Sequence, residues 1–176
     1  TAHIHTQQIA DNKSNFLRLG LNSMQQYRIK FILGKITAYV DALRLGKTTV
    51  DDLTSYTQTA VEIEHIMPQT CADKELYGMN DEDFSVYINR LGNLTLLENS
   101  INKSIHNDVY ANKSKAYKQS KFYLTSSLSE LVNQGHDTAI NRTNSLLFAW
   151  SDWNKRSIEE RQEMLYRLSE MIWEMS

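Results

Sequence analysis

Apolar residues return at helical spacing in two long runs and at alternate positions in one short stretch between them. Ile29, Ile32, Leu33, Ile36, Val40 and Leu43 fall on one face of a 3.6-residue repeat. The spacing predicts a helix opened by a Ser23–Gln26 capping box and stopped by Gly46. Ile158, Arg161, Leu165, Leu168, Met171, Ile172 and Met175 predict a second long helix behind a Ser157–Glu160 box. Between the two, residues 60–66 alternate as a half-buried strand does, and Pro68 biases Met67 to an extended conformation that ends it. Leu94–Leu97 is too short to stand alone and needs the first strand as its partner. Cys71 to Arg90, acidic and helical in character, is then an excursion from a two-stranded ribbon, with Asn80 as a cap and Phe84, Tyr87, Ile88 and Leu91 facing inward. A helix from near Asn99 is expected to pack across the ribbon.

Shorter elements fill the remainder. Asp51 caps a short helix through Tyr56, and Asp108 caps one on which Tyr110, Lys113 and Tyr117 share a face. Thr125–Val132 reads as an amphipathic segment, and after a turn at 135–138 a helix runs through Leu146, Leu147 and Trp150. Residues 1–21 read as a loose polar lead-in with His3 and His5 on the surface. The expected fold class is mainly α (α+β), a short two-stranded hairpin embedded in a helical bundle.

Composition narrows the picture without changing it. The 176 residues suit one domain, 1–176, with a proper core. One Pro and six Gly are too few for a sandwich or barrel. No apolar run approaches the ~18 residues of a membrane span, and no signal peptide is visible. Because the chain starts at Thr1, it reads as a fragment of a larger protein. A single cysteine, Cys71, cannot form an internal disulfide, which favours a reducing cytoplasm. The net charge of -2 argues against a generally basic nucleic-acid binder. Locally, however, Lys103, Lys113, Lys115, Lys118 and Lys121 face one acid, Asp108, enough for a phosphate-tracking surface.

The chemistry concentrates between Val61 and Asn107. Phosphodiester hydrolysis needs a base for the attacking water and positive charge on the phosphate. His65 is the candidate base, and as such must stay neutral and off the metal. Neighbouring side chains of a regular strand point to opposite faces, so the strand must twist or break at His65 for Glu64 and His65 to serve one site. Asn102 and His106, four apart, stack on one helix face. Either could join Glu64 around a hard divalent ion, with Mg²⁺ first; a share for His106 would favour Mn²⁺, Ni²⁺ or Zn²⁺. Asn93 is expected to hydrogen-bond backbone on both sides of its loop and orient the His65 imidazole. Lys103, Lys113, Lys115 and Lys118 are the expected DNA contacts.

Glu64-His-Ile-Met-Pro-Gln69, Leu91-Gly-Asn-Leu-Thr-Leu-Leu97 and Asn102 together resemble the HNH (ββα-metal, His-Me finger) signature. The match is nearest to the C-terminal nuclease domain of GmrSD-type modification-dependent restriction enzymes, including the SspE branch that answers phosphorothioated DNA. It extends through Asn107, Lys113, Tyr117 and Ser120, upstream over Arg28 to Leu43, and to Trp153, Ile158, Arg161 and Leu165. The resemblance implies His65 as general base, Asn93 as the supporting asparagine and Asn102 in the third, metal-binding position. Glu64 stands where the family carries Asp or His. His106 falls where some of these nucleases place a further ligand. It further implies double-stranded DNA as substrate, a role in restriction or anti-phage defence, and a preceding ParB-like nucleotidase domain that senses modification. One such site cuts one strand per event, so a double-strand break would need a homo-oligomer or two events. A non-catalytic DNA- or partner-binding helical module that retains the ribbon is the competing reading. A structural Zn²⁺ site is disfavoured by the single cysteine.

Overall fold

The computed structural model describes residues 12–50 and 52–173. His3, His5, Asp51 and Met175 lie outside them. In chain order the elements are α1 (Gln26–Arg44), α2 (Thr54–Thr57), β1 (Val61–His65), α3 (Asp81–Tyr87), β2 (Leu94–Glu98), α4 (Asn99–Ile105), α5 (Tyr110–Tyr117), α6 (Tyr123–Ser126), α7 (Ala139–Asn144) and α8 (Lys155–Trp173). Two 3₁₀ turns, Lys74–Tyr77 and Leu91–Asn93, precede α3 and β2. The mainly helical class with one small hairpin is what forms.

β1 and β2 pair antiparallel, from Val61 opposite Glu98 to His65 opposite Leu94. Leu94, Thr95, Leu96 and Leu97 are all inaccessible to solvent, so the second strand is enclosed on both faces and cannot slide in register without burying a charge. α1 presents Ile29, Leu33, Ile36 and Val40 to the core and touches β2, α2, α6, α7 and α8. α8 lies against the 3₁₀ turn at Leu91–Asn93. Gly92 permits that approach: a Cβ there would stand 2.2 Å from the Ile158 carbonyl oxygen. α4 follows β2 directly and packs on the ribbon, as the sequence requires.

Several local expectations are displaced. α1 starts at Gln26 with no side-chain cap; the Ser23 hydroxyl instead donates to the Gly20 carbonyl at 3.0 Å. At the head of α8 the cap is Asn154, whose Oδ1 accepts from the amides of Arg156 (3.0 Å) and Ser157 (3.2 Å), while Ser157 Oγ donates to the Asp152 carbonyl. Asn80 caps α3 as expected, accepting from Asp83 N–H at 2.8 Å. The helix expected through Trp150 ends at Asn144, because Trp150 N–H turns away to the Leu128 carbonyl. Residues 125–132 form a helical turn no further than Ser126.

The lead-in is structured where it is described. Residues 12–16 are helical, and Gly20 forms a bridge to Arg90. Leu21 N–H donates to the Asn89 carbonyl at 2.8 Å and Leu91 N–H to the Leu19 carbonyl at 2.9 Å. These backbone bonds seat residues 19–21 beside the segment that carries the asparagine loop. No helix among the described residues is long and apolar enough to cross a membrane.

Candidate active site

Glu62, Glu64, His65, Asn102, Lys103, His106 and Lys113 line one polar pocket of about 290 Å³ between the ribbon, α4 and α5. Larger grooves of about 540 and 530 Å³ open elsewhere, among Phe148 and Trp150 and among Tyr27 and Phe31, and contain no imidazole. Of these three, the polar pocket gathers His65, His106 and the acids of β1. β1 ends at His65. His65 is still paired with Leu94 there, and Glu64 and His65 both line the pocket.

Asn93 is fully buried and works on backbone. Its Oδ1 accepts from Met67 N–H at 2.8 Å and from Trp153 Nε1–H at 3.0 Å, and its Nδ2 donates to the Ile88 carbonyl at 2.9 Å. Its own carbonyl accepts from Ile66 N–H at 2.9 Å. The amide thus pins the chain just after His65 but does not meet the imidazole. That contact belongs to Asn89, whose Oδ1 lies 3.3 Å from His65 Nε2. The Asn93 loop is itself held from α8. Arg161 Nη1 donates to the carbonyls of Gly92 (2.9 Å) and Leu94 (2.6 Å), and Gln162 Oε1 accepts from Gly92 N–H.

Burial pushes the His65 pKa below the ordinary imidazole value; the bond to Asn89 and the charge of Glu64 oppose the shift, and the Lys113 charge adds to it. Burial therefore favours the neutral ring, the form that can accept a proton. Arg161, enclosed with no carboxylate beside it, has its pKa lowered to about 9 by desolvation.

Lys113 departs most from expectation. It is 2% exposed, and its Nζ donates to Glu64 Oε1 and to the His65 carbonyl, each at 2.7 Å. Tyr117 O–H donates to the same Glu64 oxygen at 2.9 Å, and burial, then the neighbouring carboxylate, raises the Tyr117 pKa well above its usual value. A lysine so enclosed is placed as the counter-ion of Glu64 rather than on a DNA-facing surface. Of the other lysines, Lys103 is exposed at the pocket mouth, Lys115 is exposed on α5 away from the pocket lining, and Lys118 is exposed and bonded to Glu130 Oε2 at 2.8 Å.

On α4, Asn102 Nδ2 donates to Glu62 Oε2 at 2.6 Å, and His106, at the helix end with φ 46°, lines the pocket. Glu62 was readable from strand period: it shares a face with Glu64. Asn89 carried no such mark. The donor set fits a hard divalent ion. Both bonds to Glu64 fall on Oε1, leaving Oε2, and Asn102 gives its NH₂ to Glu62, leaving its carbonyl oxygen. Among the described residues no three His, Cys, Asp or Glu converge as a ready-made cage.

Comparison with characterised proteins and with solved structures gave no match. The family described as GmrSD restriction endonucleases, C-terminal domain, matches residues 6–168. With nearly the whole chain covered, including the ribbon, the asparagine loop and α8, the protein belongs to the C-terminal domains of the GmrSD restriction endonucleases, a nuclease family whose substrate is DNA.

Proposed function

We propose that this domain is a metal-dependent HNH endonuclease that hydrolyses DNA phosphodiester bonds one strand at a time, in restriction or anti-phage defence. The observation that carries the reading is the convergence of a neutral imidazole, two carboxylates and the α4 amide on one polar pocket. His65 takes the proton from the attacking water. Glu64 and Asn102 would hold the ion, with His106 and Glu62 as further donors lining the same space. Mg²⁺ is the first choice for so oxygen-rich a set, with Mn²⁺, Ni²⁺ or Zn²⁺ as alternatives. When bound, the ion supplies charge stabilisation at the phosphate and the departing oxygen. Lys113 fixes the Glu64 carboxylate and the His65 carbonyl, while Asn93 fixes Met67 N–H, so the base is aimed before substrate arrives. Lys103, at the rim, is the lysine placed to meet a phosphate.

Sensing of modified DNA, phosphorothioate included, and nucleotide belongs in this proposal to a preceding ParB-like domain, and double-strand breaks to paired copies. The competing idea of a non-catalytic DNA-binding module loses Lys113, which is buried against Glu64, whereas the exposed Lys118–Glu130 pair holds Lys118 only weakly. The test is conversion of supercoiled plasmid to open circles across Mg²⁺, Mn²⁺, Ni²⁺ and Zn²⁺. The parent should nick with at least one ion; His65→Ala should abolish nicking, and Asn102→Ala and His106→Ala should report the ligand set. Nicking by His65→Ala at the parent rate would overturn the assignment.

A further inference from the structure

His65 is met by a side chain from outside the ribbon and α4, and the pattern of bonds behind that contact determines which ring nitrogen is free. The chain of contacts begins at the Ser85 carbonyl, an oxygen that can only accept. Asn22 Nδ2 donates to it at 3.3 Å, which turns the Asn22 oxygen away from Ser85. That oxygen accepts from Asn89 Nδ2 at 2.8 Å. The Asn89 amide is then oriented in turn: with its NH₂ on Asn22, its Oδ1 is the atom 3.3 Å from His65 Nε2. An amide oxygen carries no hydrogen, so the contact is a hydrogen bond when Nε2 bears the proton. A neutral imidazole with hydrogen on Nε2 has its lone pair on Nδ1.

The backbone supports the same arrangement. Residues 19–21 are seated against Asn89 by the bond from Leu21 N–H to its carbonyl and by the bridge of Gly20 to Arg90. Gly20 is required for that approach, because a Cβ would lie 2.1 Å from the Asn89 carbonyl oxygen. Asn22 follows two residues later and so is delivered to Asn89 by main-chain pairing rather than by a chance surface contact.

We propose that Asn89, oriented by Asn22, is a positioning residue that holds His65 in the Nε2–H tautomer and makes Nδ1 the basic atom of the site. The role of that lone pair rests on the reading of His65 as general base; the tautomer itself does not. The N-terminal segment is thereby part of the catalytic apparatus at a distance.

The experiment reads the two separately. Long-range ¹H–¹⁵N spectra of the metal-free protein, with histidine nitrogens labelled and His65 assigned by His65→Gln, report which nitrogen is protonated. The parent should show His65 with its hydrogen on Nε2. Asn89→Ala should yield a mixture of tautomers, Asn22→Ala a smaller change in the same direction, and Asn89→Asp, which keeps an acceptor at the same place, should retain Nε2–H. In plasmid nicking, kcat of Asn89→Ala should fall about tenfold, the low end for a partner that orients a functional imidazole, with KM for plasmid changed less than twofold. A parent His65 protonated on Nδ1, or an unaltered tautomer in Asn89→Ala, would overturn the proposal. A parent that fails to nick with Mg²⁺, Mn²⁺, Ni²⁺ or Zn²⁺ while the tautomer shifts as described would leave this inference standing and remove the nuclease reading.

Discussion

Replacing Lys113 with Met separates two roles that the sequence left together. Met keeps most of the stem volume and deletes the charge, so the change tests electrostatics rather than packing. In the folded protein Nζ bonds Glu64 Oε1 and the His65 carbonyl, both at 2.7 Å, with the side chains of the ion pair 2% and 8% exposed. Deleting one partner of a pair so enclosed leaves a buried charge without compensation, which costs about 3–5 kcal/mol. Against a domain stability of about 5–15 kcal/mol the loss is large and readable as a shift in the urea midpoint. Glu64→Gln in the Lys113→Met background should recover part of it, with a coupling energy of about 2–3 kcal/mol in the double-mutant cycle. A surface phosphate contact would behave otherwise: stability within about 0.5 kcal/mol of the parent, and a salt dependence of DNA binding shallower by about one unit. That second pattern would refute the buried-pair argument.

Other outcomes follow from the same geometry. The His65 pKa lies below the ordinary imidazole value because of burial, and the base works in its neutral form. The acid limb of kcat/KM should therefore fall below pH ~6.5, and a limb at or above that pH would contradict it. Gly92→Ala sets a methyl 2.2 Å from the Ile158 carbonyl oxygen; because both atoms sit on backbone, the loop or α8 must move, at a cost of about 1–3 kcal/mol measured by urea unfolding. Glu62→Ala releases the Asn102 amide from its 2.6 Å bond and should weaken Mn²⁺ binding about tenfold in calorimetry, whereas unchanged affinity would leave Glu62 outside the metal's surroundings.

The ribbon, α1 and α8 were legible because each rests on period: two for Val61–His65, 3.6 for the helices. The short second strand was legible through its need for a partner. The Asn80 cap was legible too; the Ser23 and Ser157 caps were not, since each serine had a nearer acceptor, the Gly20 and Asp152 carbonyls, that no spacing rule weighs. Lys113 was placed correctly on the face of Tyr110 and Tyr117, yet its partner Glu64 is 49 residues away, and local charge density pointed toward solvent instead. Asn89 and Asn22 gave no signal because asparagines are common in turns and what distinguishes these two is backbone pairing between residues 19–21 and 89–91.

The long-range contacts have a common purpose at the ribbon's end. Sheet pairing stops at His65 opposite Leu94, where a two-stranded ribbon by itself would fray. Lys113 takes the His65 carbonyl, the Asn93 carbonyl takes Ile66 N–H, and the Asn93 side chain takes Met67 N–H. Three successive residues are thus held by groups drawn from α5 and the asparagine loop, and α8 holds that loop in turn through Arg161 and Gln162. The chain around His65 is thus held by buried polar groups, and Asn93 supports it without meeting the His65 ring. This arrangement also predicts an order of sensitivity: changes at Asn93 or Arg161 should lower stability and nicking together, while changes at Asn89 should lower nicking with the urea midpoint nearly constant, and the reverse order would show that the ribbon's end needs no such clamp.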